Sequence, residues 1–118
     1  MPYHRLTVYR KSYQLALEIH RLTLSFPKIE QFELASQLRR SSKSISANIA
    51  EGMGKQESKN DVRHYIRIAI GSCDESRVWL DYSKDLGYIN ENIHRELNNR
   101  YIEVGKMLNG LIKRYTTV

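Results

Sequence analysis

The sequence predicts an all-α fold, an antiparallel up-down-up-down bundle of four helices. Four stretches carry apolar residues at intervals of three and four, the spacing that lays one stripe along a helical face. No stretch alternates with the period of two that a half-buried strand requires. The connections are short, about six, four and three residues, too short for long crossovers, so consecutive helices are expected to be antiparallel neighbours. At 118 residues the chain has the size of one domain, expected to span 1–118.

The first helix, about 7–26, places Val8, Ser12, Leu15, Ile19, Leu22 and Phe26 inward, with Tyr9, Tyr13 and Ala16 widening the stripe. Pro27, which cannot donate a backbone hydrogen bond, closes it. The second, about 33–53, turns Leu34, Leu38, Ser41, Ile45, Ile49 and Met53 inward beside Ser42 and Ala47, and ends at Gly52 and Gly54. The third, about 58–86, carries Val62, Ile66, Ala69, Cys73, Ser76, Leu80 and Ser83, with Tyr65, Ser72 and Trp79 alongside. Ser58 is placed to cap its start, and Gly87 to take the left-handed position past its end. The fourth, about 90–115, is capped by Asn90 and buries Ile93, Leu97, Tyr101, Val104, Leu108, Leu111 and Tyr115. Leu15, Leu38, Ile45, Ile66, Leu80, Leu97 and Leu108 are the expected core.

Small inward residues set the approach of the helices. Ser41, Ser42, Ala47, Ala69, Gly71, Ser72, Cys73 and Ser76 fall on the second and third helices, which are therefore expected to be the closest pair. Each inward hydroxyl then needs an acceptor, most readily the carbonyl three or four residues earlier.

Composition narrows the functional classes. Hydrophobic residues make up 41% of the chain, enough for a folded core and too many for a disordered one. The single cysteine, Cys73, excludes an internal disulfide, and on the inward stripe it reads as a small core residue rather than a nucleophile. No stretch has the length and apolarity of a membrane span, and the charged beginning of the chain is not a signal peptide, so no membrane contact and a cytoplasmic location are expected. His4, His20, His64 and His94 lie in different elements without metal-ligand spacing. Asn48, Glu51 and Glu75 read as structural polar groups, and Gly52 with Gly54 is no nucleotide fingerprint. Neither catalytic residues nor a metal or other cofactor are expected.

Charge becomes informative once the helices are ordered. The start of the first helix, the second connection and the end of the fourth meet at one end, gathering Arg5, Arg10, Lys11, Lys55, Lys59, Arg63, Lys113 and Arg114 against Glu51, Glu57 and Asp61. The opposite end holds Glu30, Glu33, Asp81, Asp85 and Glu91 against Lys28 and Lys84. The formal net charge of +6 thus conceals a polarised molecule. Lysines at the positive end of the third helix's dipole are unfavourable, which an anionic partner such as RNA or DNA phosphate would offset. Arg5, Lys55, Lys59, Arg63, Lys113 and Arg114 are the candidate nucleic-acid contacts. Eight tyrosines and one tryptophan exceed what a slender core needs and suit subunit contacts. Arg39, Arg40, Trp79 and Tyr82 are the candidate oligomer contacts.

The runs QLRRSSKSISANIAEGMG at 37–54, GSCDES at 71–76 and RVWLDYSKDLGYI at 77–89 resemble the four-helix-bundle proteins encoded by intervening sequences in bacterial 23S ribosomal RNA genes, often labelled ribosomal protein S23. The likeness covers about 6–115. In that family alanines usually stand at Ser41 and Ser42, and a proline near Ser46. The resemblance implies a ring-like homo-pentamer and kinship with accessory proteins that accompany reverse transcriptases in diversity-generating retroelements. The expected function is a non-enzymatic, homo-oligomeric accessory or binding protein that contacts RNA or DNA phosphates through the basic end. The alternatives are a structural or protein-interaction ring that binds no nucleic acid and, more distantly, an enzyme.

Overall fold

The computed structural model describes residues 2–116, so residues 1, 117 and 118 of the expected 1–118 domain lie outside the described residues. Four helices form: α1 Thr7–Thr23, α2 Leu34–Met53, α3 Lys59–Asp85 and α4 Glu91–Lys113, with 3-10 turns at Tyr3–Arg5 and Lys28–Glu30. No strand occurs among the described residues. Two of the starts follow from side-chain capping. Ser58 Oγ accepts from the Asp61 amide at 3.3 Å, and Asn90 Oδ1 accepts from the Ile93 amide at 2.8 Å, satisfying donors that a first turn otherwise leaves free. Past α3, Gly87 takes φ +82°, and the Tyr88 amide returns to the Ser83 carbonyl at 2.9 Å. A side chain at that position would be strained.

Each helix packs on the next and α4 returns to α1, while among the described residues neither diagonal pair of helices makes a close backbone approach. This is the up-down-up-down bundle. The α2–α3 seam is the most extensive and the α1–α4 seam the least. The molecule measures 46 × 23 × 21 Å, and α3, at about 1.5 Å per residue, spans nearly its whole length. Leu15, Leu38, Ile45, Ile66, Leu80, Leu97 and Leu108 are all buried in one core.

The boundaries differ where tertiary packing acts. α1 ends at Thr23 rather than near Phe26: the amides of Leu24, Ser25 and Phe26 bond the carbonyls three residues back at 3.3, 3.2 and 3.1 Å, a tightened exit in place of α-helical bonds. Phe26 is nevertheless buried. Pro27 starts the following 3-10 turn instead of stopping α1. The connection 24–33 is correspondingly longer than expected. Gly52 does not end α2: it lies inside the helix, where a Cβ would stand 3.3 Å from Tyr65 Cβ. Gly71 and Ala47, expected inward, are exposed, and Ser46 is buried in place of Ala47. Tyr13 is 46% exposed. It lies beyond the edge of the α1 stripe.

The serines behave as the α2–α3 seam demands. Ser76 Oγ donates to the Ser72 carbonyl at 2.9 Å, which uses its one proton. Ser41 Oγ lies 2.8 Å from Ser76 Oγ across the seam and 3.3 Å from the Leu38 carbonyl of its own helix. Ser72 Oγ crosses to Ser44 Oγ at 2.9 Å. Every buried serine and threonine hydroxyl among the described residues has a partner. Tyr101 of α4 is the exception among buried side chains: its hydroxyl lies close to Ser76 without a hydrogen bond of normal geometry, and desolvation pushes its proton affinity well up.

Leu80 is fully buried near the end of α3. Leu80→Ala is expected to lower unfolding free energy by about 2–5 kcal/mol through lost transfer energy and a residual cavity. Urea denaturation followed by helical circular dichroism checks it, and a loss below about 1 kcal/mol would place this side chain outside the core.

Candidate nucleic-acid interface

The antiparallel connectivity gathers the start of α1, the 54–58 connection, the start of α3 and the end of α4 at one end. Two contacts fix this assembly. The Tyr115 hydroxyl meets Gln56 Oε1 at 3.2 Å, and the Arg63 guanidinium reaches both the Tyr115 carbonyl and Asn60 Oδ1. Arg63 therefore ties the chain beyond α4 to α3. Arg10 is likewise occupied, donating to the carbonyls of His4 and Arg5 at 3.2 and 2.8 Å. Lys11 pairs with Glu103 at 2.7 Å. Arg5, Lys55, Lys59, Lys113 and Arg114 differ: no side-chain hydrogen bond or ion pair engages them among the described residues, and all but the half-buried Lys55 are exposed. Arg5 and Arg114 flank one cleft floored by Leu6, Val8, Met107 and Leu111.

The opposite end is held by polar contacts that engage an acid and a base. Tyr88 donates to Glu30 Oε2 at 2.8 Å, joining the two connections there. Arg39 donates to Thr23 Oγ1 at 2.9 Å and to the Gln31 carbonyl at 3.1 Å, while Gln31 Nε2 reaches the Thr23 and Phe26 carbonyls. Arg39 is thus built into its own subunit as the brace of the 24–33 connection. Arg40 is exposed on α2. Trp79 packs partly on the core, with its ring 5.8 Å from that of Tyr82, which is 54% exposed. Sequence reasoning missed a further apolar surface, Leu24, Ile29 and Phe32. Ile29 is 78% and Phe32 89% exposed. An apolar pair in a polar-bounded connection was the available signal.

The remaining polar groups do not converge on chemistry. Asn48 Nδ2 stays within α2, donating to the Ser44 carbonyl and Oγ. Glu75 accepts from Trp79 Nε1 at 3.2 Å. Cys73 donates to the Tyr101 carbonyl at 3.2 Å, and burial foremost pushes its thiol up to about 11, which leaves it in the poorly nucleophilic protonated form. Among the described residues no group of three His, Cys, Asp or Glu side chains is placed to hold a metal. No described helix is long and apolar enough to cross a membrane.

The fold and site define an α-helical bundle with unpaired cations at one end and apolar groups on its surface. Residues 4–110 match the family model of the 23S rRNA-intervening sequence protein, and the chain belongs to that family. It is also similar to a crystal structure from Bacteroides thetaiotaomicron VPI-5482, described as a protein of unknown function from the S23 ribosomal protein family. Identity is 30% and the TM-score 0.84, over 96% of this chain and 99% of that one. No curated protein matches the chain.

The loose α1–α4 seam is latched by Arg100, which holds Glu18 through two hydrogen bonds of 2.8 and 2.5 Å. The Arg100 hydrogen bond, opposed by partial burial, holds the Glu18 carboxyl below its ordinary value of 4.5. Because the folded value is depressed, the latch contributes fully above the unfolded value and is lost as pH falls through the folded one. Glu18→Gln is expected to lower the thermal midpoint at neutral pH, with the deficit shrinking as the pH drops below the ordinary value. A deficit constant across that range contradicts the latch.

Proposed function

We propose that this protein is a non-enzymatic, self-assembling accessory protein that holds RNA or DNA by its phosphates at the basic bundle end. The observation that carries this reading is the set of cations left unengaged there. Arg5, Lys55, Lys59, Lys113 and Arg114 arrive from four separate segments, while Arg10, Lys11 and Arg63 nearby are consumed by the fold. Cations that meet phosphates release counterions and bind with little regard to base sequence. Assembly as a homo-oligomer, the pentamer that the resemblance implies, repeats the weak basic end on one particle and raises its avidity for a chain polyanion. The cytoplasm, and a reverse transcriptase as protein partner, belong to the same proposal.

A second reading is favoured by the exposed Ile29, Phe32 and Tyr82. These support a structural or protein-interaction ring in which apolar contacts do the binding and the cations only keep the particle soluble. Arg39, Arg40, Trp79 and Tyr82 are the subunit contacts proposed from sequence, Arg39 also being bonded within its own chain to Thr23 and Gln31. Light scattering at micromolar concentration separates a pentamer from a monomer.

Lys59→Glu with Arg114→Gln is the informative variant. Arg63 is left intact because it holds the end of α4, and Glu at position 59 favours the α3 dipole, so folding is preserved. Binding of labelled single-stranded RNA at low salt is expected to fall roughly ten-fold, with a salt dependence shallower by about two. Unchanged binding would exclude this end as the contact. No binding by the parent would leave the second reading.

A further inference from the structure

We infer that the α1–α2 face is a stacking track for an unpaired nucleic-acid strand leading away from the basic end, an inference that rests on the phosphate-binding reading above. The rings of Tyr3, Tyr9 and Tyr13 follow one another at 4.9 and 5.9 Å, starting beside Arg5. Tyr3 and Tyr13 are 40% and 46% exposed. Beyond Tyr13 the track enters a groove of about 440 Å³ between α1 and α2, floored by Ala16 and Leu17 and bounded by His20, Lys43 and Ser46. Lys43 Nζ donates to His20 Nδ1 at 3.1 Å. A lysine ammonium has no lone pair, so the imidazole accepts there and keeps the cation at the groove edge.

Charge decides the occupant. Along α1–α4 the grooves away from the basic end are lined by Glu103 or by Glu18 and Glu96, and the polar groove between α2 and α3 contains Glu75. Neither the cleft between Arg5 and Arg114 at the basic end nor the α1–α2 groove that leads away from it contains a carboxylate. Exposed aromatic faces, an apolar floor and cations at both ends are the combination that holds single strands, because every base has a face to stack and every linkage a phosphate. Tyr9 to His20 covers about 16 Å of helix, matching the shortest footprints of single-strand grooves, about four nucleotides. A duplex buries its base faces against one another and gains nothing from the tyrosines.

The test compares a short labelled oligouridylate with an RNA duplex of equal length, measured by fluorescence anisotropy on the full chain. Tyr13→Ala is expected to weaken single-strand binding roughly ten-fold, leave duplex binding within about two-fold, and be rescued by Tyr13→Phe. Tyr3→Ala, outside the helices, gives the same selective loss without involving α1 stability. Single-strand binding unchanged in both alanine variants, while Lys59→Glu with Arg114→Gln still weakens it, would overturn the track and leave the basic end standing. A drop in particle mass on Tyr13→Ala would assign the groove to a second copy of the chain and overturn the inference. Absence of single-strand binding by the parent at low salt removes both.

Discussion

The close approach of α2 and α3 is the constraint on which the rest of the bundle depends. It is made possible by short side chains: Ser41, Ser72, Ser76 and Ala69 lie buried, and Gly52 lets Tyr65 come within a distance that a methyl group would crowd. Small residues allow two helix backbones to approach, but serine brings a hydroxyl that must not be stranded. The seam gives each of these hydroxyls a partner. Ser41 and Ser76 meet across it, Ser76 also reaches the Ser72 carbonyl, and Ser72 donates across to Ser44. Packing and hydrogen bonding therefore specify the same register.

With α2 and α3 fixed, α1 and α4 take the two outer edges, and their own seam is left to side-chain latches. Arg100 with Glu18 and Lys11 with Glu103 bridge this least extensive of the seams. Exposed pairs of this kind contribute modestly and weaken with salt. The two ends are closed by different chemistry. At the 24–33 end Arg39, Gln31, Thr23, Tyr88 and Glu30 satisfy one another. At the opposite end Arg63 and the Tyr115–Gln56 hydrogen bond secure the chain, while Arg5, Lys55, Lys59, Lys113 and Arg114 remain unengaged. That asymmetry turns a formal charge into a directed one.

Sequence periodicity placed the core well, because apolar residues on a helix stripe have one place to go. The serines too were legible as inward and as bonded to preceding carbonyls, which Ser42, Ser83 and Thr23 illustrate. What escaped was anything decided by rotation of a helix through a fraction of a turn. Gly71 and Gly52 look alike in sequence, yet Gly71 faces open space and Gly52 faces Tyr65. Tyr13 and Ala47 fell just outside stripes drawn to include them. The gathering of cations at one end followed from connectivity, but which of them stay unengaged did not. Arg39 and Arg63 are spent on carbonyls whose exposure depends on where α1 unwinds and where α4 stops.

Native-state hydrogen exchange tests most directly whether the α2–α3 seam organises the fold. Amides in the middle of α2 and α3, around Ile45 and Cys73, are predicted to exchange slowest, through global unfolding only, with α1 and α4 opening at lower free energy. If instead α1 and α4 retained protection under conditions where α2 or α3 had lost it, the serine-lined seam would not be the element on which the bundle depends.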